Sequence, residues 1–304
     1  MKHFIELSDW SSGELRDLLD MASHLKREWR TGGNRPVLRG KILGMVFQKP
    51  SLRTRVSFEV GMQHLGGHAI MLGPSEIGLG KRESIADVAR VLSGYVQGIM
   101  ARVFDHQHIV ELAEWATVPV INGLSDDRHP CQAMADVLTI QEHFGHTDGL
   151  KVTFIGDGNN VATSLAVACA RFGMDFTLAA PPGYQFTDAT MQHLEAQLDG
   201  TEFQVINDPV EAVQGADVLY TDTWVSMGQE EDTQRRLQDL EAYQINDGLL
   251  AQAGPKAIVL HCLPAHRGQE ITDSVADGPQ SAIFAQAENR LHAQKAILVH
   301  LMSM

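Results

Sequence analysis

The sequence predicts an α/β fold of two domains, each a mainly parallel sheet flanked by helices, with a C-terminal helix packing back on the first domain. Three observations predict it. Short apolar runs of strand length alternate with amphipathic stretches of helical period over residues 41–121, and the alternation restarts over 151–261; that rhythm belongs to strands joined by crossover helices. Between the two halves, one longer helical stretch starts at Pro130 and stops at Gly145. Proline suits the first helical turn and glycine the position just past the last. The 304 residues, 44% of them hydrophobic, suffice for two cores. The expected domains are 1–145, joined by the returning helix of about 285–304, and 146–284.

In chain order, helix 11–29 comes first. Ser11 and Glu14 stand at capping-box spacing, and Leu15, Leu18, Leu19, Ala22 and Leu25 share one face. A buried strand is expected at 41–48 (KILGMVFQ), followed by a helix near 53–65 and a strand near 68–72. Helix 84–93, strand 98–102, helix 106–115 and strand 118–121 continue the pattern. After the Pro130 helix, the loop HTDG at 146–149 precedes strands at 151–155, 175–179, 202–206, 218–221 and 257–261. Helix 285–298 ends the series and is expected to close back on the first half.

The formal net charge of −14 disfavours nucleic acid and anionic membrane as partners. Any anionic substrate must therefore meet cations concentrated locally. Cys131, Cys169 and Cys262 are odd in number and form no CxxC pair, which points to neither a disulfide framework nor a thiolate zinc site. Residues 1–10 lack the apolar core of a signal peptide, and no apolar run is long enough for a bilayer. A cytoplasmic protein is expected.

Five motifs, each placed at a strand end or helix start, carry candidate chemistry. Ser51-Leu52-Arg53-Thr54-Arg55 lies between a strand and a helix. Ser51 can cap that helix, whose first-turn N–H groups, dipole, hydroxyls and guanidinium groups together suit a phosphate. An ordinary capped helix with solvated arginines accounts for the same residues. In Asp127-Arg128-His129-Pro130-Cys131-Gln132, Pro130 opens a helix, which sets His129 at its cap and Gln132 in its first turn, where a carbonyl or phosphate oxygen can be bound. Gly156-Asp157-Gly158-Asn159-Asn160 follows a strand and resembles only the start of a dinucleotide fingerprint. No acidic residue ends the next strand. Asp222-Thr223-Trp224-Val225-Ser226-Met227-Gly228 brings a carboxylate that suits an ammonium group. His261-Cys262-Leu263-Pro264 ends a strand with a cysteine that reads either as a small buried apolar residue or as a nucleophile needing a base such as His261 or His129.

Taken together in this order, the five blocks resemble the carbamoyltransferase family, and its ornithine branch closely, from Phe4 to about Leu298. SLRTR, HPCQ and HCLP are the most specific pieces. The resemblance implies transfer of a carbamoyl group from carbamoyl phosphate to the δ-amine of ornithine, without metal or organic cofactor. It further implies a homotrimer with active sites between subunits. By the same resemblance Ser51, Leu52 through its backbone, Arg53, Thr54 and Arg102 hold phosphate. His129, Pro130, Cys131 and Gln132 hold the carbamoyl end, and Cys262, Leu263 and Arg290 complete that substrate's contacts. Asn160, Asp222, Ser226 and Met227 match the ornithine site. Arg53, Arg102, His129, Asp222 and Cys262 are the implied catalytic set, and Leu263-Pro264 is the implied cis bond.

Two positions depart from the family pattern. Leu52 replaces a threonine, which removes a hydroxyl but keeps the N–H. Gly78 stands where many relatives place a glutamine on a loop that reaches the neighbouring subunit, and Lys81 is the candidate to compensate. Putrescine, an acylated ornithine or aspartate are the alternative amine substrates, the last disfavoured by the acidic, neutral 222–228 loop. A nicotinamide-binding oxidoreductase module and a non-catalytic paralogue are the readings from other classes.

Overall fold

The computed structural model describes residues 2–225 and 230–303, the side chain at 230 excepted. The chain divides into two compact units, Met1–Leu138 with Glu288–Met304, and Thr139–Ala287. Among the described residues no helix is long and apolar enough to cross a membrane.

The first unit holds four strands, β1 (Ile42–Phe47), β2 (His68–Leu72), β3 (Gly98–Arg102) and β4 (Val120–Leu124), in the order β2-β1-β3-β4. Every pairing is parallel, with Phe47 opposite Arg102. That register brings Arg102 and the loop after β1 to the same carboxyl edge, where open sheets bind ligands. Helix Ser12–Arg30 closes both arms of the capping box at Ser11, and the five apolar residues predicted for its inner face are all buried. Helix Leu52–His64 is capped by the Ser51 hydroxyl, which accepts from Thr54 N at 3.3 Å. Ile85, Val88, Ile99, Ile109, Leu112 and Val120 pack one core between the sheet and its covering helices.

β4 runs to Leu124, beyond the end at 121 expected from sequence. Asn122-Gly123 reads as a turn, yet tertiary contacts keep both residues in the strand. Asn122 N donates to Phe4 O at 2.8 Å and its side chain to Ile5 O at 3.0 Å. A Cβ on Gly123 would lie 2.5 Å from Met100 Sδ, so glycine is there for close approach. The last helix, Ile283–Met302, exceeds the expected 285–298, and its residues from 288 onward belong to the first unit. Asn289 Oδ1 accepts from Lys26 Nζ at 2.6 Å, and Lys295 and Leu298 pack beside Gly61.

The second unit holds β5 (Lys151–Ile155), β6 (Asp175–Ala179), β7 (Phe203–Ile206), β8 (Val218–Thr221) and β9 (Ile258–His261), in the order β7-β6-β5-β8-β9. All pairings are parallel, with Ile155 opposite Thr221 and Thr221 opposite His261. The chain winds from β5 towards β7, then resumes on the other side of β5 at β8. The turn after β5 and the loop after β8 therefore flank a topological switch point. Helix Asn160–Arg171 is buried at every position from 161 to 170, which its run of small and apolar residues permits.

The turn after β5 is packed to contact. Gly158 N donates to Tyr184 O at 2.8 Å, and a Cβ on Gly158 would sit 3.0 Å from Phe186 N and 3.1 Å from Phe186 Cδ1. Gly158→Ala should lower stability by about 1–3 kcal/mol, measured by urea denaturation. An unchanged midpoint would mean that this turn has room to spare.

Candidate active site

In the first unit, the predicted anion-binding residues converge. Thr54 is fully buried, and its Oγ1 accepts from Arg290 Nη2 at 2.9 Å and from Ser51 Oγ at 3.1 Å. Arg290, Arg102 and His129 are almost wholly buried at 3%, 7% and 4% exposure, so two guanidinium charges are concentrated away from bulk water. Burial holds His129 well below the ordinary histidine range, and the charges of Arg290, Arg102 and Arg53 push it further down. One neutral imidazole therefore feels all three arginines that the sequence reading grouped together.

The helix Pro130–Phe144 starts at this cluster, with Gln132 N and Ala133 N donating to His129 O. Gln132 is fully buried and donates from Nε2 to Asp136 Oδ1 at 2.8 Å. Among the described residues its Oε1 finds no hydrogen-bond partner, and neither does Arg53 Nε. One unsatisfied acceptor and one unsatisfied donor beside the arginines suit a ligand that carries both an NH2 group and anionic oxygens. Cys131 turns the other way. Its thiol donates to Asn122 O at 3.3 Å, and burial pushes it up to about 12, so it stays protonated and leaves only its backbone for a ligand. Leu52 is 74% exposed, and Ser51 and Arg53 are half-buried.

In the second unit, Asp222 is the hub. Cys262 Sγ donates to Asp222 Oδ1 at 2.9 Å, the Thr223 N–H donates to the same oxygen at 2.8 Å, and Asn159 Nδ2 donates to Oδ2 at 2.9 Å. Asn159 also caps helix Asn160–Arg171 by accepting from Val161 N and Ala162 N at 3.0 Å. The predicted Asn160 follows it as the first residue of that helix. Leu263-Pro264 is cis, and Leu263 has φ +59°. The Leu263 N–H donates to His261 Nδ1 at 2.9 Å, which assigns the other ring proton to Nε2, bonded to the fully buried Glu270 at 3.0 Å. Asp222, His261 and Cys262 offer ligand atoms within 4.8 Å of one another, a spacing that suits a metal ion. Both ring nitrogens of His261 are already engaged in this arrangement.

Ser226 and Met227 lie outside the described residues. Gly78 ends the short helix Pro74–Ile77 in a left-handed conformation, φ +59°, and a Cβ there would lie 2.8 Å from Arg82 Cβ. This turn requires glycine, which accounts for the departure at 78. Lys81 is exposed on the same loop. Sequence reasoning placed Asp157 and Asn159 in a candidate turn without their partners, and it missed Arg236 and Glu270. Only Asn159 carries a local signal, its capping position ahead of an apolar helix. Arg236 and Glu270 act across gaps that no motif spans.

Residues 2–142 match the family model described as aspartate/ornithine carbamoyltransferase, carbamoyl-P binding domain, and residues 148–301 match the Asp/Orn binding domain of the same family. The chain is 52% identical over 302 residues to the ornithine carbamoyltransferase of Methanoculleus marisnigri, covering 99% of this chain and 97% of that protein. It is 50% identical over 298 residues to the anabolic ornithine carbamoyltransferase of Pyrococcus furiosus, covering 97% and 95%. The solved structure of the ornithine carbamoyltransferase from Pyrococcus furiosus superposes with a TM-score of 0.96 at 49% identity, over 99% of this chain and 97% of that one. With two domain matches that span nearly all of its length, the chain belongs to the aspartate/ornithine carbamoyltransferase family.

Proposed function

We propose that the chain transfers the carbamoyl group of carbamoyl phosphate to the δ-amine of L-ornithine, giving L-citrulline and phosphate, in arginine metabolism. The observation that carries this reading is the convergence of Arg53, Arg102 and Arg290 on one buried, neutral histidine. Such a cluster in a chain of net charge −14 suits a compact anion of high charge. The first unit then binds carbamoyl phosphate and the second binds ornithine. The names of the relatives support the same assignment.

The amine attacks the carbonyl carbon, a C–N bond forms, the C–O bond to phosphate breaks, and the phosphate leaves as an anion able to carry away the amine's proton. Negative charge grows on the carbonyl oxygen during attack. Thr54, Arg102 and His129 stabilise it, and Arg53 with the Ser51-capped helix start holds the phosphate. Donors fixed in advance are the main source of rate in such sites. Because His129 is neutral, its ring presents an N–H donor without adding a fourth cation.

The attacking amine must be uncharged, although an alkylamine has a pKa of about 10.4 in water. A bare carboxylate would favour the ammonium form. Asp222 is not bare: both of its oxygens already accept protein hydrogen bonds, from Cys262, Thr223 and Asn159. It therefore orients the amine by accepting a hydrogen bond, and loss of water favours deprotonation. Cys262 supports Asp222 as a thiol donor and forms no covalent intermediate. The reaction requires neither metal nor organic cofactor. A cytoplasmic homotrimer, with Lys81 reaching a neighbouring subunit's phosphate, completes the proposal.

An acidic residue at 222 disfavours a dicarboxylate such as aspartate, and putrescine or an acylated ornithine remain the rival amines. Purified chain with carbamoyl phosphate and ornithine should yield citrulline. Faster turnover of a rival amine in the same assay would move the substrate assignment. Arg53→Ala should lower kcat/KM for carbamoyl phosphate by about 10²–10³-fold, and wild-type kinetics would contradict the phosphate cradle. His129, with its lowered pKa, binds its proton only well below pH 6.5 when folded, whereas the unfolded chain binds it near 6.5. Its contribution therefore makes stability rise with pH across that window and fall as pH drops below 6.5. Imidazole NMR of the wild type and His129→Asn should identify a resonance that does not titrate near 6.5; an ordinary titration there would refute the buried, cation-surrounded histidine.

A further inference from the structure

The turn 156–159 in the second unit has two hooks. Its inner one, Asn159, holds Asp222. Its outer one is Asp157, whose carboxylate pairs with Arg236 on helix Thr233–Leu240. Arg236 makes two further contacts with the same guanidinium. Nε donates to Trp224 O, two residues beyond Asp222, and the ring of Tyr184 lies 5.0 Å away. Tyr184 in turn accepts the Gly158 N–H at its carbonyl and donates its hydroxyl to Asp239 Oδ2 at 2.8 Å. The ion pair is largely shielded, with side chains 11% and 18% exposed. Both strand ends that deliver Asp222 and Asn159 are thus fastened to one arginine.

We infer that Arg236 is a positioning residue for the amine-binding carboxylate: through Asp157 it fixes the turn that bears Asn159, and through the Trp224 carbonyl it fixes the backbone just after Asp222. This rests on the reading that Asp222 receives the amine. The geometry demands arginine. A planar fork meets two acceptors in fixed directions while its face lies against an aromatic ring, and a lysine is a point charge that satisfies only one of these needs. The neighbourhood also makes the pair consequential. Burial raises the Asp157 carboxyl, Arg236 opposes that rise, and the charge of Asp222 adds to it. Without Arg236, Asp157 is left as a buried carboxyl beside Asp222, free to take up a proton and compete for the donors of the turn. Misplacing a reacting group by about 1 Å can cost on the order of 10²-fold in rate.

The test is steady-state kinetics of the full chain carrying Arg236→Lys, Arg236→Met, Asp157→Asn, or Arg236→Met with Asp157→Asn, each checked for folding by circular dichroism and thermal melting. Arg236→Lys and Asp157→Asn keep the site's size and polarity and secure the experiment if Arg236→Met fails to fold. The expected result is a loss of about 10–100-fold in kcat/KM for ornithine, with the KM for carbamoyl phosphate unchanged. The double variant should be no worse than the poorer single, because the two residues act as one unit. Wild-type ornithine kinetics in both Arg236→Lys and Asp157→Asn would overturn the inference. So would a rise in the KM for carbamoyl phosphate as large as the loss for ornithine, the mark of a general structural effect. Failure of the unaltered chain to make citrulline falls on the proposed function instead, and the same variants are then read on the amine that it does carbamoylate.

Discussion

Like-charge repulsion is the constraint around which the first unit is built. Arg53, Arg102 and Arg290 all act on one imidazole, and two of the three are almost wholly buried. At an effective dielectric of 20, two unit charges about 4 Å apart repel by about 4 kcal/mol. Such a cluster needs scaffolding that holds each member in place. Arg290 is tied to Thr54, Thr54 to Ser51, and Ser51 to the start of its helix. His129 contributes a ring without contributing charge.

The second unit solves the opposite problem. Asp222, Asp157 and Glu270 put three carboxyl groups around one strand edge, and each is given its own partner: Cys262 and Asn159, Arg236, and His261. Partnering each acid separately keeps the three carboxyl groups apart in their hydrogen bonding. His261 shows how the frame works. Glu270 accepts a hydrogen bond from its Nε2–H, Nδ1 is thereby an acceptor, and that acceptor receives the N–H of Leu263, a residue in a left-handed conformation that L side chains rarely adopt. The backbone after Cys262 is thus held by side chains whose own orientation is fixed.

Both halves depend on parallel strand register. Phe47 lies beside Arg102, and Ile155, Thr221 and His261 lie side by side. Residues far apart in sequence therefore leave their sheets at one edge. A slip of a single residue would send Arg102, Asp222 or Cys262 to the other face. The buried strands and small-residue helix Asn160–Arg171 resist that slip, and glycines at 123 and 158 permit the close approaches that no side chain could share.

By itself the sequence determined every strand of both sheets to within a few residues, the capped starts at Ser11 and Ser51, and the gathering of cationic and hydroxyl groups around Arg53. These are local properties: period, capping chemistry and contiguous motifs. Tertiary structure decided what depends on residues that meet from a distance. It carried β4 through Asn122-Gly123, because the N-terminal residues pair there and Met100 leaves no space for a side chain. It brought the capping residue Asn159 onto Asp222, a contact that no spacing in the sequence announces. It gave Gly78 a conformational reason, and it recruited Arg236 and Glu270, whose importance comes only from the atoms they face. A motif records which groups are available, whereas a hydrogen bond across 79 residues, such as Arg236 to Asp157, exists only once the chain has folded.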